Sequence, residues 1–340
     1  MKMRKNLTKS ICLLVALVLL CTCLTACDSS NYSKAEELYN GGEYAAALEL
    51  YNALGEYEDS TAKAKMCQYA IANEYFENAQ YEDALAIYKE LGEYEDSSEK
   101  AAFCEKEIGM TTNADYDFLA ALEKSVSERM AKPDDADRSI LVNTEFAYLG
   151  KFENATFYDD TIKELSALYL KGLHEQEEAL KSEIQSDYQV AWQQGIVHRY
   201  EALKRLYEEY EFMADNMDFV GTYVMKYDSQ KGLLDAYIAI EADISAQTSV
   251  EDLPIDFKFS NKQGTMSYTL VNNTAYTFST VFEYTFLSDD GTIFYNSNAY
   301  IENIKPGNSY VVSIYIDGKN CKTNNFNWEW NNYYTDVQLP

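Results

Sequence analysis

The stretch Leu54-Gly55-Glu56-Tyr57-Glu58-Asp59-Ser60 recurs, letter for letter, at Leu91–Ser97. Seven identical residues 37 positions apart mark a duplicated structural unit. The identity spreads outward from there. Ala35/Ala72, Tyr44/Tyr81, Ala47/Ala84, Leu48/Leu85, Tyr51/Tyr88 and Cys67/Cys104 keep the same offset. Tyr44, Ala47/Leu48, Tyr51 and Leu54 fall on one face of a helix. Gly42 breaks the chain before it, and Ala35 with Leu38/Tyr39 gives a shorter helix ahead of the break. Each unit is therefore helix, tight turn, helix.

The joint between units reads from its chemistry. Gly55 and Gly92 suit the left-handed conformation that ends a helix. Asp59-Ser60 and Asp96-Ser97 offer side-chain oxygens to the free N–H groups of the next helix. Tyr57 and Tyr94 are expected to turn inward at the corner. Glu56, Glu58 and Asp59 crowd within four positions, whereas a calcium loop spreads its ligands over about twelve. The segment reads as a capped turn, not a metal site. Cys67 and Cys104, in equivalent places, read as small buried hydrophobes.

Gly42-x-Tyr44-x-x-Ala47-x-x-x-Tyr51 and Ala79-x-Tyr81-x-x-Ala84-x-x-x-Tyr88 resemble the second half of a tetratricopeptide repeat, whose usual length is about 34 residues. The longer period and a Gly-Tyr-Asp-Ser link in place of a proline make this a variant. Two copies plus a trailing helix, Ser97–Met110, fill residues 28–110. The resemblance makes Tyr44, Ala47, Tyr51, Gly55 and Ser60, with Tyr81, Ala84, Tyr88, Gly92 and Ser97, the structural positions of the repeat. Two units are fewer than the roughly three usually needed for stability, so the following helices are expected to cover the open end.

The chain opens with Lys2, Arg4, Lys5 and Lys9, then an apolar run from Ile11 to Leu24, then Ala26-Cys27. That is the order of a secretory signal, and the run is shorter than the ~18–20 residues that span a bilayer. Leu24-Thr25-Ala26-Cys27 resembles a bacterial lipobox. The resemblance implies cleavage before Cys27, lipid on its sulfur, and anchoring to the outer face of the cytoplasmic membrane by acyl chains. Asp28–Tyr32 would then be the only spacer before the first helix, placing the repeats near the membrane. Removing residues 1–27 takes away four cations and no anion, so formal net charge moves from −28 to −32. With no basic stripe, nucleic acid is a poor partner. The acidity reads first as solubility and second as attraction for a basic protein. Cys67, Cys104 and Cys321 remain after Cys27, an odd set without CxxC spacing, so no disulfide framework is expected.

From Asp134 to Leu253 there is no proline. Ile162, Leu165, Leu168/Tyr169 and Leu173 make one helical stripe. Leu203, Leu206/Tyr207, Tyr210, Met213/Ala214 and Met217 make another, and a helix is expected from about Asp135. Residues 111–250 thus read as a helical bundle. His174 and His198, the only histidines, lie on two expected helices; ordinary polar roles are favoured over metal or acid–base use. His174-Glu175-Gln176-Glu177-Glu178 lacks the second histidine of HExxH. Trp192 reads as core.

Near Asp252 the charge thins and Thr, Asn, Tyr and Phe rise. Met266/Tyr268/Leu270, the alternating series Tyr276–Phe286, and Tyr310/Val312/Ile314/Ile316 read as strands. Asp289-Asp290-Gly291 and Pro306-Gly307 read as turns, giving an antiparallel β-sandwich over 251–340. The pattern TLVNNTAYTFSTVFEYTFLSDDGTIF, followed by IKPGNSYVVSIY, resembles small immunoglobulin-like modules of bacterial surface proteins, including the FxLYD group. That group's Leu-Tyr-Asp stands here as Phe286-Leu287-Ser288-Asp289, and the resemblance implies an adhesive or spacer module without catalytic residues. Trp328 and Trp330 share a sheet face by the two-residue period. With Tyr333 and Tyr334 they are either the inward face of the sandwich or a platform for a sugar ring.

The expected fold is α followed by β: tetratricopeptide-like hairpins, a helical bundle, then a sandwich. No GxSxG, P-loop, GxGxxG or zinc-spaced set occurs, so no catalytic residue, metal or cofactor is expected. The first expectation is a non-enzymatic surface lipoprotein that binds protein; glycan capture by the sandwich is the alternative.

Overall fold

The structure, a computed structural model, describes residues 27–133, 135–183, 185–248, 256–260, 263–287, 293–317 and 327–339. Side chains are described for these except at 185, 186, 248, 256–266, 282–297 and 314–334. Helices come first and antiparallel strands last. The chain divides into two compact units, Met1–Asn113 and Ala114–Pro340.

In the first unit, helix α1 (27–40) is followed by α2 (Tyr44–Leu54), α3 (Ser60–Glu77), α4 (Tyr81–Leu91) and α5 (Ser97–Thr112). Residues 28–32 are helical, so they belong to the first helix and are not the spacer expected ahead of it. Ala35, Ala47, Tyr51 and Cys67 are buried in one core cluster; Ala72, Ala84, Tyr88 and Cys104 are buried in its copy. The small residues let adjacent helices approach, and each tyrosine fills the space between them.

The joints depart from expectation in two respects: the glycines are not in the left-handed helical conformation, and the aspartates do not cap. Asp59 and Asp96 flank α3 and α5 but neither side chain caps the helix. Their carboxylates accept the phenols of Tyr32 and Tyr69 instead. Ser60 and Ser97 are fully buried, and their hydroxyls have no partner among the described residues. The corner is closed by the next residue, where Thr61 and Ser98 hydroxyls donate to the Gly55 and Gly92 carbonyls at 3.1 and 3.4 Å. Gly55 and Gly92 take φ 58°, ψ −114° and φ 60°, ψ −122°, a region closed to residues with a Cβ. Tyr57 and Tyr94 pack edge-on against Tyr32 and Tyr69, as the inward reading required.

Helices α1 and α3 end in the same 6→1, 5→2 motif. Glu43 N–H reaches Leu38 O at 2.8 Å and Gly42 N–H reaches Tyr39 O at 3.0 Å. Gln80 to Tyr75 and Ala79 to Phe76 repeat the pair at 2.9 and 3.0 Å. The motif needs a left-handed residue. The first copy supplies Gly42 at φ 81°, the second Ala79 at φ 56°. Left-handed alanine costs roughly 1–2 kcal/mol, more than the roughly 0.4–1 kcal/mol of extra unfolded-chain entropy that glycine brings. Ala79→Gly is therefore expected to stabilise the first unit by about 0.5–1 kcal/mol. A urea midpoint equal to or below that of the unmodified chain would contradict this.

In the second unit, α6 (Asp115–Met130), α7 (Arg138–Leu149), α8 (Asp160–Ala179), α9 (Gln185–Tyr210) and α11 (Tyr227–Thr248) are the long helices. A short α10 (Met217–Phe219) runs into one π turn, Val220–Val224. Asp137 caps α7 by accepting from Ser139 N, so that helix starts at Arg138 and not near Asp135. Asp159 caps α8 through Thr161 and Ile162 N. Buried Asp115 accepts from the backbone N–H groups of Tyr158 and Asp159 and fixes the approach to α8. The α8 stripe of Ile162, Leu165, Tyr169 and Leu173 is buried as expected. The α9 stripe stops at Tyr210. Glu211 and Met213 take positive φ, Phe212 folds back with its N–H on Leu206 O, and Met217 is 75% exposed. The apolar spacing continued past the point where the chain turned, and Phe212, not Met213 or Met217, completed the core.

Strands β1 (Asp256–Ser260), β2 (Gln263–Val271), β3 (Thr277–Leu287), β4 (Ile293–Ile304), β5 (Ser309–Asp317) and β6 (Asn327–Gln338) form two antiparallel three-stranded sheets, β1-β2-β5 and β4-β3-β6. Tyr268, Leu270, Phe278 and Val312 are buried and Val311 is 58% exposed, the expected alternation. The Pro306-Gly307 turn sits on Asn272. Fully buried, Asn272 donates to the Tyr276 and Ile304 carbonyls, and its own carbonyl accepts from Gly307 N–H. The change of composition near 252 does not separate helices from strands in space, because two glutamines tie them together. Gln189 of α9 donates to Thr335 O and accepts from Thr335 N–H; Gln247 of α11 does the same for Val271. Each amide imitates a neighbouring strand at a ladder position.

Candidate functional site

The repeat positions Tyr51, Ser60, Ala47 and their copies Tyr88, Ser97, Ala84 are interior; Tyr81 is half-buried against its core, and Tyr44 is half-buried edge-on to Tyr39. They serve packing. A polar clamp, unnoticed in the sequence though it keeps the 37-residue offset, joins them. Tyr51 donates to Glu36 at 2.5 Å, and Lys63 pairs with Glu36 at 2.8 Å. In the second copy Tyr88 donates to Asn73 at 2.7 Å, and Lys100 donates to Asn73 at 2.6 Å. The Lys100 ammonium also lies 5.1 to 5.8 Å from the ring centroids of Tyr69, Phe76 and Tyr88. A cation so placed is held by ring quadrupoles as well as hydrogen bonds.

These phenols resist ionisation. The hydrogen bond to Asp59, then burial, pushes Tyr32 up to about 12. Burial, then the Glu36 hydrogen bond, pushes Tyr51 up, and burial pushes Tyr88 up. Burial also raises the Cys67 thiol to about 11. A raised folded pKa gives stability that is complete below the unfolded value, ~10 for tyrosine, and is lost as pH rises through the folded value. Alkaline titration is therefore expected to show a late tyrosinate fraction near pH 12, appearing together with loss of helical circular dichroism. Full tyrosinate absorbance with helix retained would contradict it.

The middle helices carry charge inside. Glu145 and Arg199 are both fully buried and meet at 2.6 and 2.7 Å. Arg129 pairs with the same carboxylate at 2.5 Å, and Tyr169 donates to it. Burial opposes the Arg199 charge, but Glu145 outweighs it and the guanidinium is held charged. Arg199 reaches this place because α8 and α9 cross at Gly172 and Gly195. A Cβ on Gly195 would stand 2.5 Å from Gly172 O and from Gln176 Cγ. With Glu145 and Arg199 sealed from solvent and only Arg129 reaching it, the cluster is structural. His174 pairs with Glu153 at 3.0 Å and His198 with Glu175 at 2.6 Å. They are not brought together as a site. Among the described residues no group of three or more His, Cys, Asp or Glu is arranged to hold a metal ion.

Among the described residues of the second unit, two hollows bear on function. The larger, about 690 Å³, is an open acidic groove of Glu123, Glu211, Asp215 and Asp218 with Met213 and Met217. The smaller, about 210 Å³, is more enclosed and lies between α7, α9 and α11. Arg138, Tyr188, Gln189, Trp192, Gln193, Ile196 and Tyr237 line it. Trp192 is 8% exposed, in keeping with a core position, but one side of it faces this cavity. The Tyr188 and Trp192 rings stack at 5.9 Å and 24°. The spacing Tyr188-x-x-x-Trp192 places both on one helix face and was the available signal; Arg138, fifty residues earlier, carried none.

Trp328 and Trp330 pair through their backbones with Phe286 and Tyr284 of β3, while Tyr334 pairs with Val281 and Tyr333 falls at a register shift. Their side chains lie outside the described residues, as do residues 1–26, read as a signal, Cys321, and residues 289–291, read as a turn. Cys27 is exposed at the start of α1. Among the described residues no helix is long and apolar enough to cross a membrane. Comparison with protein-family descriptions, with curated proteins and with solved structures finds no match in any of the three.

Proposed function

We propose that this is an exported, non-enzymatic bacterial lipoprotein, anchored through Cys27 to the outer face of the cytoplasmic membrane, whose repeat unit binds a basic protein partner. In this reading the helical hairpins are tetratricopeptide-like, and the strands are an immunoglobulin-like β-sandwich serving as spacer or adhesive module.

One observation carries the binding role. The two repeats share their interiors and differ outside. Ala45, Ala46, Ala53 and Ala62 of the first copy stand where the second has Glu82, Asp83, Glu90 and Glu99, all four exposed. Packing alone asks for no such difference. A frame repeated inside and more acidic on the outside of its second copy suits recognition of a cationic surface, with steering by the field of a strongly acidic chain.

The test has two arms in a bacterial host. A clickable palmitate analogue is expected to label the unmodified chain and not Cys27→Ala, which should leave the membrane fraction. Cross-linking on intact cells, with the four acids changed together to alanine, is expected to remove partner products while circular dichroism stays unchanged. Equal labelling of Cys27→Ala sinks the anchor. Unchanged cross-links sink the acidic face as the binding surface.

A further inference from the structure

We infer that the cavity between α7, α9 and α11 binds a small organic monocarboxylate with an apolar, single-ring body. Its volume, about 210 Å³, equals roughly seven waters at about 30 Å³ each, which is room for one ring and not for a polymer. Tyr188, Trp192, Ile196 and Tyr237 give it aromatic and aliphatic walls. Arg138 supplies the charge.

Arg138 stands apart from the other described arginines. Arg129 and Arg199 pair with Glu145, and Arg205 pairs with Glu164 and Glu209. Arg138 has no carboxylate partner among the described residues, in a chain with twice as many acids as bases. The adjacent Asp137 is committed to Ser139, through its backbone N–H and its hydroxyl. The Arg138 guanidinium lies instead 5.0 Å from the Trp192 ring centroid and 5.3 Å from that of Tyr188, and donates to the Tyr188 phenol. A guanidinium has five N–H donors in a planar fork that matches a carboxylate. The stacked rings hold that fork in one orientation at the cavity.

The lining also decides what the rest of the ligand is. The Gln189 amide is bound on both sides to Thr335, and Gln193 Nε2 is bound to Gln230. Few polar groups are left to receive sugar hydroxyls, so an apolar ring suits the walls better than a polyhydroxylated one. One exposed cation on the lining of this cavity, in a strongly acidic chain, balances one negative charge, which favours a monocarboxylate over a phosphate dianion.

Isothermal titration of the full chain with sodium benzoate tests this, with benzamide as the uncharged isostere and sodium glucuronate as the polyhydroxylated carboxylate. Benzoate is expected to bind one to one with Kd of about 1 mM or tighter, and benzamide at least about tenfold more weakly. Arg138→Gln should weaken benzoate about tenfold, and Arg138→Lys, which keeps the charge without the fork, by less. The Lys variant carries the test should the Gln variant not fold. Absence of saturable heat up to about 20 mM benzoate, equal binding of benzamide, or tighter binding of glucuronate would each overturn the inference.

Discussion

Glu145→Ala is expected to destabilise the second unit by about 3–5 kcal/mol, because it strands the fully buried guanidinium of Arg199. That is a large part of the roughly 5–15 kcal/mol that holds a domain folded. Arg199→Met should cost less. In that variant Glu145 keeps Arg129 at 2.5 Å and the Tyr169 phenol, so no charge is left without a partner. Changing both, Glu145→Leu with Arg199→Met, should recover much of the loss, since a buried ion pair and a well-packed apolar pair are often of similar stability. Arg129, whose side chain is 14% exposed, can then turn to water. Urea unfolding followed by circular dichroism ranks the three. A Glu145→Ala loss below about 1 kcal/mol, or Arg199→Met proving the worse of the single variants, would show that the cluster is not organised around the carboxylate.

Gly195→Ala is the second large effect. Its Cβ would meet the Gly172 carbonyl oxygen at 2.5 Å, so the two helix backbones must move apart. Overpacking costs about 1–3 kcal/mol, and a backbone obstacle puts this change at the upper end. Gly172→Ala meets Gly195 O at 2.6 Å and should behave alike. Gly232→Ala is the control. Its Cβ finds only ordinary contact with Leu339 at 3.8 Å in helix α11, where alanine is preferred over glycine by about 1 kcal/mol. Thermal melts should place Gly195→Ala well below the unmodified chain and Gly232→Ala level with it or above. Equal melts for Gly195→Ala and Gly232→Ala would refute the close crossing.

Much of the first unit was open to reading because its contacts are local and stated twice. The 37-residue offset that showed Tyr51/Tyr88 and Cys67/Cys104 also holds for Tyr32/Tyr69 and Lys63/Lys100, and the clamp was readable from the same alignment. The fate of Asp59 and Asp96 was not. An aspartate beside a helix start can cap it, and only the phenols of Tyr32 on α1 and Tyr69 on α3, each two helices back, draw the carboxylates away. The end of α9 misled in another way. Apolar spacing runs on through Met213 and Met217, but periodicity does not register the left-handed turn at Glu211.

The candidate site belongs to the second unit and was illegible. Arg138 and Tyr188 are fifty residues apart, as Arg199 and Glu145 are 54, and nothing in local spacing joins such pairs. By itself the amino-acid sequence determined the order of helices then strands, the repeat, and which faces turn inward, because hydrophobic period and turn chemistry act over a few residues. Only the tertiary structure decided which charges are buried and paired, that two glycines bring α8 and α9 together, and that Arg138 stands beside a cavity with no carboxylate partner among the described residues. Those outcomes depend on which distant helices meet, and burial and charge pairing are set where they do.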